Sequence, residues 1–262
     1  MAEEAKAVAA APGYRRRHRE TVGSTSVEAL QAARAGDPGR LWLTAACQTA
    51  GRGRRGRTWV SERGNLYASL LLTDPCPAER LGDLPMVCCV ALADAVEAAT
   101  GSLGLVKLKW PNDLLVNGAK ISGILLESEY MADGRLVVVA GIGVNCGHHP
   151  GDALYATIDL ASLGYRVTPD DMFSRLAAAM ASRLEEWQAG KGFDAIRAAW
   201  LRRCVGIGAP VTVRLPDREI EGIFSALDED GRLLLETNSG TMTISAGDVF
   251  FSRTAERNKE NT

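Results

Sequence analysis

Residues 105–145, LVKLKWPNDLLVNGAKISGILLESEYMADGRLVVVAGIGVN, contain the pattern that decides the fold. Apolar runs suited to strands alternate with short turn sequences, and Asn117-Gly118 is the strongest short-range indication of a β-hairpin. The segment predicts a meander of antiparallel strands over 105–110, 114–116, 119–127 and 136–145. Because helical patterns lie before and after this meander and not between its strands, we predict an α+β fold.

Further elements extend from the meander toward both ends of the chain. The predicted elements are a helix between Ser24 and Gly36, strands over 41–46 and 66–73, and helices over 83–100, 169–189 and 193–203. Thr168 is the predicted N-cap of the longest helix, because Pro169 and two aspartates follow it. We expect the helices to cover one face of a mixed or antiparallel sheet.

The pattern changes again near residue 208, where short strands alternate with turns such as Asp230-Gly231. About fifty residues of this kind suit a small β-barrel. We therefore expect a main domain over 14–204 and a barrel over 205–254. Residues 1–13 and 255–262 are expected to be disordered tails.

Composition limits the class of protein. Of the 262 residues, 46% are hydrophobic and 24% are charged, and the net charge is −2. This balance excludes a wholly disordered chain and a protein that coats nucleic acid through its overall charge. No apolar run reaches the roughly 18 residues that cross a bilayer, and the charge order at the start is opposite to that of a secretory signal. We expect a cytoplasmic protein with no membrane partner.

The spacing of cysteines and histidines does not suggest a metal site. The six cysteines include no CxxC pair and the three histidines no HxxxH pair, so we expect neither a Cys/His site nor a disulfide framework. His148 and His149 are predicted as a solvated pair in a loop. The basic run at residues 15–19 could contact nucleic acid, but a solvated tail is favoured because no aromatic residue is interleaved with it.

Residues 51–59, GRGRRGRTW, place four arginines and three glycines in seven positions before a tryptophan. Glycine lets backbone N–H groups approach a ligand, and guanidinium groups grip carboxylates and phosphates. The segment contains G-x-G-x-x-G and nearly matches a P-loop, but both motifs must open a helix, and loop and strand patterns follow here. We favour a structured anion-binding loop, the Gly/Arg loop, over these motifs and over a flexible nucleic-acid-binding segment.

Two glycine-containing patterns accompany this loop. Lys120 follows the predicted hairpin turn, with Ser122 on the same strand face by the two-residue period of a strand and Gly123 allowing close backbone approach. Gly141 and Gly143 end an apolar strand. A lone lysine after a hairpin turn would ordinarily face solvent, and the Gly-x-Gly pattern alone is weak, since a bulge or a tight strand end would explain it.

In this order and at these separations, GRGRRGRTW, KWPNDLLVNGAKISGILLE and GIGVN resemble the three signature blocks of biotin protein ligases, over about residues 14–253. The resemblance implies a catalytic domain related to class II aminoacyl-tRNA synthetases and an SH3-like C-terminal module. It also implies two reactions. Biotin and ATP give biotinyl-5′-AMP and pyrophosphate, and the biotinyl group then passes to one lysine of a biotin carboxyl carrier protein.

The resemblance assigns ligand contacts residue by residue. Biotin contacts fall to Ser24, Thr25, Ser26, Gln48, Arg52, Gly53, Arg54 and Lys120. ATP or adenylate contacts fall to Arg55, Arg57, Trp59, Asn112, Asp113 and Asn145. Family members commonly have Ser-Thr-Asn where this chain has Ser24-Thr25-Ser26.

The chemistry of these reactions explains the choice of residue types. Two anions meet when the biotin carboxylate attacks the α-phosphorus of ATP, so positioning and fixed positive charge are the main requirements. Lys120 and Arg54 are the expected catalytic cations, with Mg²⁺ neutralising the phosphates and no side chain assigned as its ligand. The acceptor lysine must then lose a proton, since its pKa is about 10.4 in water, and Asp113 is the expected base.

The expected partner is a carboxyl carrier subunit of acetyl-CoA or another acyl-CoA carboxylase, and a homodimer is allowed. Family members that are also repressors carry an N-terminal helix-turn-helix domain, whereas about twenty residues precede the catalytic block here. We therefore expect a monofunctional ligase that does not bind DNA. The alternatives are a lipoate protein ligase and a nucleic-acid-binding protein that uses residues 15–19 and 52–57.

Overall fold

The computed structural model describes residues 10–151 and 155–251. Its main sheet has seven strands in the order β1-β2-β3-β7-β6-β5-β4. The strands are β1 (Arg15–Val22), β2 (Leu41–Gln48), β3 (Leu66–Thr73), β4 (Lys107–Lys109), β5 (Asp113–Val116), β6 (Ala119–Tyr130) and β7 (Leu136–Val144). The β1–β2 pair is parallel and the other pairs are antiparallel, so the α+β prediction with a mixed sheet is confirmed. Residues 10–13 apart, the predicted tails lie outside the described residues.

Strands β4 to β7 form the predicted meander. Asn117 and Gly118 both have positive φ, 51° and 77°, as a two-residue type I′ hairpin turn requires. Beyond this turn the register shifts, because Leu114 pairs with Ser122 whereas Leu115 pairs with Lys120. The extra residue in β6 is a β-bulge, which changes the side-chain alternation along the strand.

Helices cover both faces of the sheet, and the expectation of one covered face is wrong. The helices are α1 (Thr25–Arg34), α2 (Leu84–Thr100), α3 (Pro169–Trp187) and α4 (Phe193–Leu201). Leu41 and Leu43 of β2 join the buried cluster beneath α1, whereas Trp42 between them joins the larger cluster with α2 and α3. Since successive residues of a strand point to opposite faces, a strand that is apolar at every position requires a helix on each side.

A separate five-stranded antiparallel sheet, the C-terminal sheet, has the order β11-β10-β9-β8-β12. Its strands are β8 (Pro210–Arg214), β9 (Glu219–Leu227), β10 (Leu233–Thr237), β11 (Gly240–Ile244) and β12 (Asp248–Phe251). The short strand β12 was not predicted. It adds an edge by pairing with β8. The sheet contacts the main domain where Trp110 Nε1 donates to the carbonyl of Gly231 at 3.1 Å.

The basic run at residues 15–19 is part of β1, so the prediction of a solvated tail is wrong. Arg15 donates to the buried carboxylate of Asp37. The Arg16 guanidinium lies 4.1 Å from the ring centroid of Phe173 and pairs with Asp170. These side chains have partners in the loop after α1 and in α3, and their charged ends bind carboxylates.

His148 and His149 are half-buried and hydrogen-bonded, which corrects the prediction of a solvated pair. His148 Nε2 lies 3.0 Å from the carbonyl oxygen of Arg63, and His149 Nδ1 lies 2.5 Å from the buried carboxylate of Asp159. Both rings therefore fasten the segment that follows β7.

Across the part of the chain that the structure describes, no helix combines the length and apolar character needed to span a membrane.

Removing the N-cap of α3 should destabilise the fold without changing its core. Thr168 Oγ1 accepts from the backbone N–H of Asp171 at 3.1 Å. Thr168→Ala leaves that donor without its partner and should lower the free energy of unfolding by about 1 kcal/mol, measured by urea denaturation. Thr168→Ser keeps the hydroxyl, so its free energy of unfolding should decrease much less. Equal decreases in the two variants would contradict a capping role.

Candidate active site

A cavity opens between the main sheet and the C-terminal sheet. The space inside it, counting its open mouth, is about 920 Å³. Twelve of the predicted ligand residues line it: Ser24, Thr25, Ser26, Gln48, Arg52, Gly53, Arg54, Arg57, Trp59, Asn112, Asp113 and Lys120. Residues from separate elements of the chain therefore converge on one space.

Two glycines of the main sheet make room for an indole on the cavity floor. Gly123 of β6 and Gly143 of β7 are paired across the strands. A Cβ at Gly143 would lie 2.5 Å from Trp59 Nε1, and one at Gly123 would lie 2.8 Å from the same ring. Trp59 Nε1 is buried, with no hydrogen-bond partner among the described residues. Close approach of Trp59 thus accounts for Gly123 and Gly143, whereas a Cβ at Gly141 would lie 2.6 Å from Ser26 Oγ.

The start of α1 contributes a buried polar wall. The backbone N–H of Thr25 donates to Gln48 Oε1 at 2.9 Å, and Gln48 Nε2 donates to Ser61 Oγ at 2.8 Å. Ser26 Oγ and Thr25 Oγ1 both lie within hydrogen-bond distance of Ser69 Oγ. Fixed hydroxyls and an amide at a helix N-terminus can recognise a polar or anionic group.

Two lysines share one carboxylate. Lys120 Nζ lies 2.5 Å from Asp113 Oδ1, and Lys109 Nζ lies 3.8 Å from the other oxygen. Burial lowers the pKa of Lys109, and the neighbouring carboxylate of Asp113 opposes this shift. The Lys120 ammonium also lies 4.9 Å from the ring centroid of Tyr155. This group carries more positive than negative charge and faces the cavity.

Arg54 connects the two parts of the structure. Its Nη1 donates to Asn112 Oδ1 at 2.7 Å, and its Nη2 donates to the carbonyl of Gly247 at 3.1 Å. Burial lowers the pKa of the Arg54 guanidinium, which nevertheless stays charged in a protein. Asn112 is held in turn because its Nδ2 donates to the carbonyl of Ile124.

Asp248 is the main cavity residue that the sequence did not indicate. Its carboxylate accepts hydrogen bonds from Arg55 and Arg57 and lies 3.6 Å from Arg54. Burial raises the pKa of Asp248, but the hydrogen bond from Arg57 and the neighbouring guanidinium charges outweigh burial and hold the pKa below its usual range. Asp248 is separated from Arg57 by 191 positions, so no local pattern connects them.

Some predicted residues lie elsewhere. Arg55 does not line the cavity; its Nη2 donates to the carbonyl of Arg214. Asn145 is buried, does not line the cavity, and donates to the carbonyl of Ile158. Ser122 donates to the carbonyl of Gly143 and is absent from the lining, so the prediction that it accompanies Lys120 is wrong because the bulge intervenes.

Several other lining residues were missed, among them Lys109, Tyr155 and Phe250. Lys109 directly precedes the WPND sequence, so its adjacency to the motif was the available signal. Tyr155 and Phe250 lie in stretches with no motif, and only their folded positions bring them to the cavity. Arg52, although in the lining, is also paired with Glu127 at 2.6 Å.

Filling the space under the indole should displace it. We expect Gly143→Ala to move Trp59 because the added methyl would overlap the ring, with a loss of about 1–3 kcal/mol in the free energy of unfolding. The displacement is measured as a change in tryptophan emission that disappears when Trp59→Phe is added. Gly82→Ala is the matched control, since a Cβ there meets nothing within 4 Å. An unchanged emission spectrum in Gly143→Ala would contradict the contact.

Comparison with known proteins identifies the family. The model of the Biotin/lipoate A/B protein ligase family matches residues 31–145, and that of the biotin protein ligase C-terminal domain matches residues 206–252. A biotin–[acetyl-CoA-carboxylase] ligase of Paracoccus denitrificans is 40% identical over 237 residues, 87% of this chain and 97% of the relative. Its counterpart in Mycobacterium tuberculosis is 33% identical over 244 residues, 88% and 86% of the two chains.

Comparison of the fold with solved structures indicates the same family. The structure of a biotin protein ligase from Aquifex aeolicus in complex with biotin and ATP superimposes with a TM-score of 0.76 at 27% identity, over 91% of this chain and 99% of the other. The three sequence blocks, the residues that line the cavity and the fold are all consistent with these relatives. The chain belongs to the biotin protein ligase family.

Proposed function

We propose that this chain is an ATP-dependent ligase that activates biotin as biotinyl-5′-AMP and transfers the biotinyl group to a lysine of a biotin carboxyl carrier protein. The observation that carries the proposal is the convergence of Lys120, Arg54 and Arg57 on one cavity. A cavity lined by these cations suits a small substrate with several phosphates. The relatives named above as biotin–[acetyl-CoA-carboxylase] ligases support the same substrate and partner.

In the first step an oxygen of the biotin carboxylate forms a bond to the α-phosphorus of ATP, and the bond from that phosphorus to the β-phosphate bridge breaks. Pyrophosphate leaves and the mixed anhydride remains. Lys120 and Arg54 stabilise charge on the phosphoryl oxygens. The polar wall at Thr25 and Gln48 offers hydrogen-bond donors and acceptors to the neutral ureido ring of biotin.

Magnesium enters this scheme as part of the MgATP substrate. The two cavity carboxylates, Asp113 and Asp248, already bind cationic side chains. Within residues 10–151 and 155–251, no three or more His, Cys, Asp or Glu side chains are grouped as metal ligands. The donor set therefore fits a metal held chiefly by the phosphates, whose charge it neutralises.

In the second step the amine nitrogen of the carrier lysine attacks the acyl carbon, the bond from that carbon to the phosphate oxygen breaks, and AMP leaves. The attacking amine must lose a proton. Asp113 is the proposed acceptor, because its oxygen is released when Lys120 turns from Asp113 to the substrate anion. No covalent intermediate on the protein is required.

The finer features of the fold are part of the same proposal. We propose that residues 14–204 form a catalytic domain related to class II aminoacyl-tRNA synthetases, and that residues 205–254 form an SH3-like module. The mixed seven-stranded sheet and the five-stranded antiparallel sheet support this division. A cytoplasmic location is proposed because ATP and the carboxylase carrier are available there.

Biotin-dependent exchange of pyrophosphate into ATP, followed by transfer to a carrier domain, tests the proposed function. Exchange should require biotin, and lipoate in its place should give none. Exchange supported by lipoate and not by biotin would make the chain a lipoate ligase. Absence of exchange with both acids, together with salt-sensitive binding to nucleic acid, would favour the nucleic-acid alternative.

Replacing Lys120 should stop adenylate formation. We expect Lys120→Ala to lower the exchange rate by about 10²-fold or more, since it removes fixed charge beside the reacting phosphate, while circular dichroism shows an intact fold. Lys107→Ala removes an exposed lysine of β4 and should leave exchange unchanged. Normal exchange in Lys120→Ala would exclude the assigned role.

Replacing Arg54 should weaken ligand binding more than stability. We expect Arg54→Ala to raise the dissociation constant for biotin by about tenfold, because a charge-assisted contact is lost, as measured by calorimetry. Arg63→Ala, which breaks an exposed pair with Glu20, is the matched control. Equal biotin affinity in Arg54→Ala and the unmodified protein would show that Arg54 makes no such contact.

A further inference from the structure

The Gly/Arg loop and the C-terminal sheet meet at a single carboxylate. Asp248, the first residue of β12, accepts from Arg55 at 3.2 Å and from Arg57, and it lies 3.6 Å from Arg54. Two backbone carbonyls join the contact: that of Gly247, just before β12, accepts from Arg54, and that of Arg214 in β8 accepts from Arg55. The loop is thus attached to the C-terminal part of the structure through three of its four arginines, Arg54, Arg55 and Arg57.

The loop adopts a conformation that its own backbone does not favour. Arg55 has φ 55° and ψ 38°, in the left-handed region, which is costly for a residue with a Cβ atom. Within the loop, Gly53 N–H donates to the Arg57 carbonyl and Arg57 N–H donates to the Arg54 carbonyl. These short-range bonds close the turn, and the side-chain hydrogen bonds of Arg55 among the described residues are made to the C-terminal sheet.

The charges do not cancel. Three guanidinium groups share one carboxylate whose side chain is 12% exposed, so a surplus of positive charge stays at the cavity edge. Without the carboxylate the three cations would repel one another at this distance. Asp248 therefore brings the arginines together and leaves charge available to an anionic ligand.

We infer that Asp248 is a positioning residue: its carboxylate gathers Arg54, Arg55 and Arg57 and holds the Gly/Arg loop over the cavity. Through this contact the C-terminal sheet determines the geometry of the cations that meet the nucleotide phosphates. The role of these cations toward a nucleotide rests on the proposed function, whereas the attachment of the Gly/Arg loop by Asp248 does not.

Limited digestion of the full chain with trypsin tests the loop directly, because the enzyme cleaves after arginine. In Asp248→Asn, cleavage after Arg54, Arg55 and Arg57 should be about tenfold faster than in the unmodified protein, since charge-assisted hydrogen bonds are lost. Asp248→Glu keeps the charge and should restore most of the protection. Glu219→Gln, which breaks the exposed pair with Arg214 in the same sheet, should leave cleavage unchanged.

Steady-state exchange kinetics test the consequence for nucleotide. Asp248→Asn should raise the KM for ATP by about tenfold and the KM for biotin by less than threefold, with rescue by Asp248→Glu. A general loss of structure would raise both values together and would not be rescued. A lower KM for ATP in Asp248→Asn would overturn the inference, because the carboxylate would then be competing with phosphate.

Unchanged tryptic cleavage in a folded Asp248→Asn variant would also overturn the inference that Asp248 holds the Gly/Arg loop. If Asp248→Asn does not fold, Arg55→Ala removes an exposed partner of the carboxylate instead, and faster cleavage after Arg57 is expected; an unchanged rate contradicts the inference. Failure of the unmodified chain to catalyse exchange would reject the proposed function and leave the tryptic result to decide the role of Asp248 in the loop.

Discussion

Positive charge concentrated around one cavity is the constraint on which the rest of the site depends. Besides Arg52, which pairs with Glu127, five cationic side chains lie in or beside it: Arg54, Arg55, Arg57, Lys109 and Lys120. Like charges at such short range destabilise one another, and two carboxylates hold them in place. Asp113 binds the lysines and Asp248 binds the arginines. The surplus charge is what an anionic transition state requires.

The sheet beneath these charges provides rigidity. Gly123 and Gly143 lie opposite each other on two long central strands, and the absence of a Cβ at both lets the Trp59 ring lie against the backbone. Strand positions are more precise than loop positions. The Gly/Arg loop that carries Trp59 is therefore fastened at one end to the main sheet and at the other, through Asp248, to the C-terminal sheet.

Local sequence patterns predicted the elements that local interactions determine. The hairpin at Asn117-Gly118 and the N-cap at Thr168 both formed as expected, because turn and capping preferences act over a few residues. Strand β1 was missed, since its run of basic residues resembles a solvated tail until Asp37 and Asp170 are brought to them. The coverage of both sheet faces also depended on packing that no single segment reveals.

The amino-acid sequence by itself determined the chemistry of this protein: an arginine- and glycine-rich loop, a lysine after a hairpin, and a glycine pair, in the order of one enzyme family. Tertiary structure alone decided which groups act together. It placed Asp248 beside arginines 191 positions away, turned Arg55 and Asn145 away from the cavity, and moved Ser122 out of the lining through a bulge. The physical reason is that residue type and short-range spacing set the available charges and hydrogen bonds, whereas the packing of two sheets sets the distances between them.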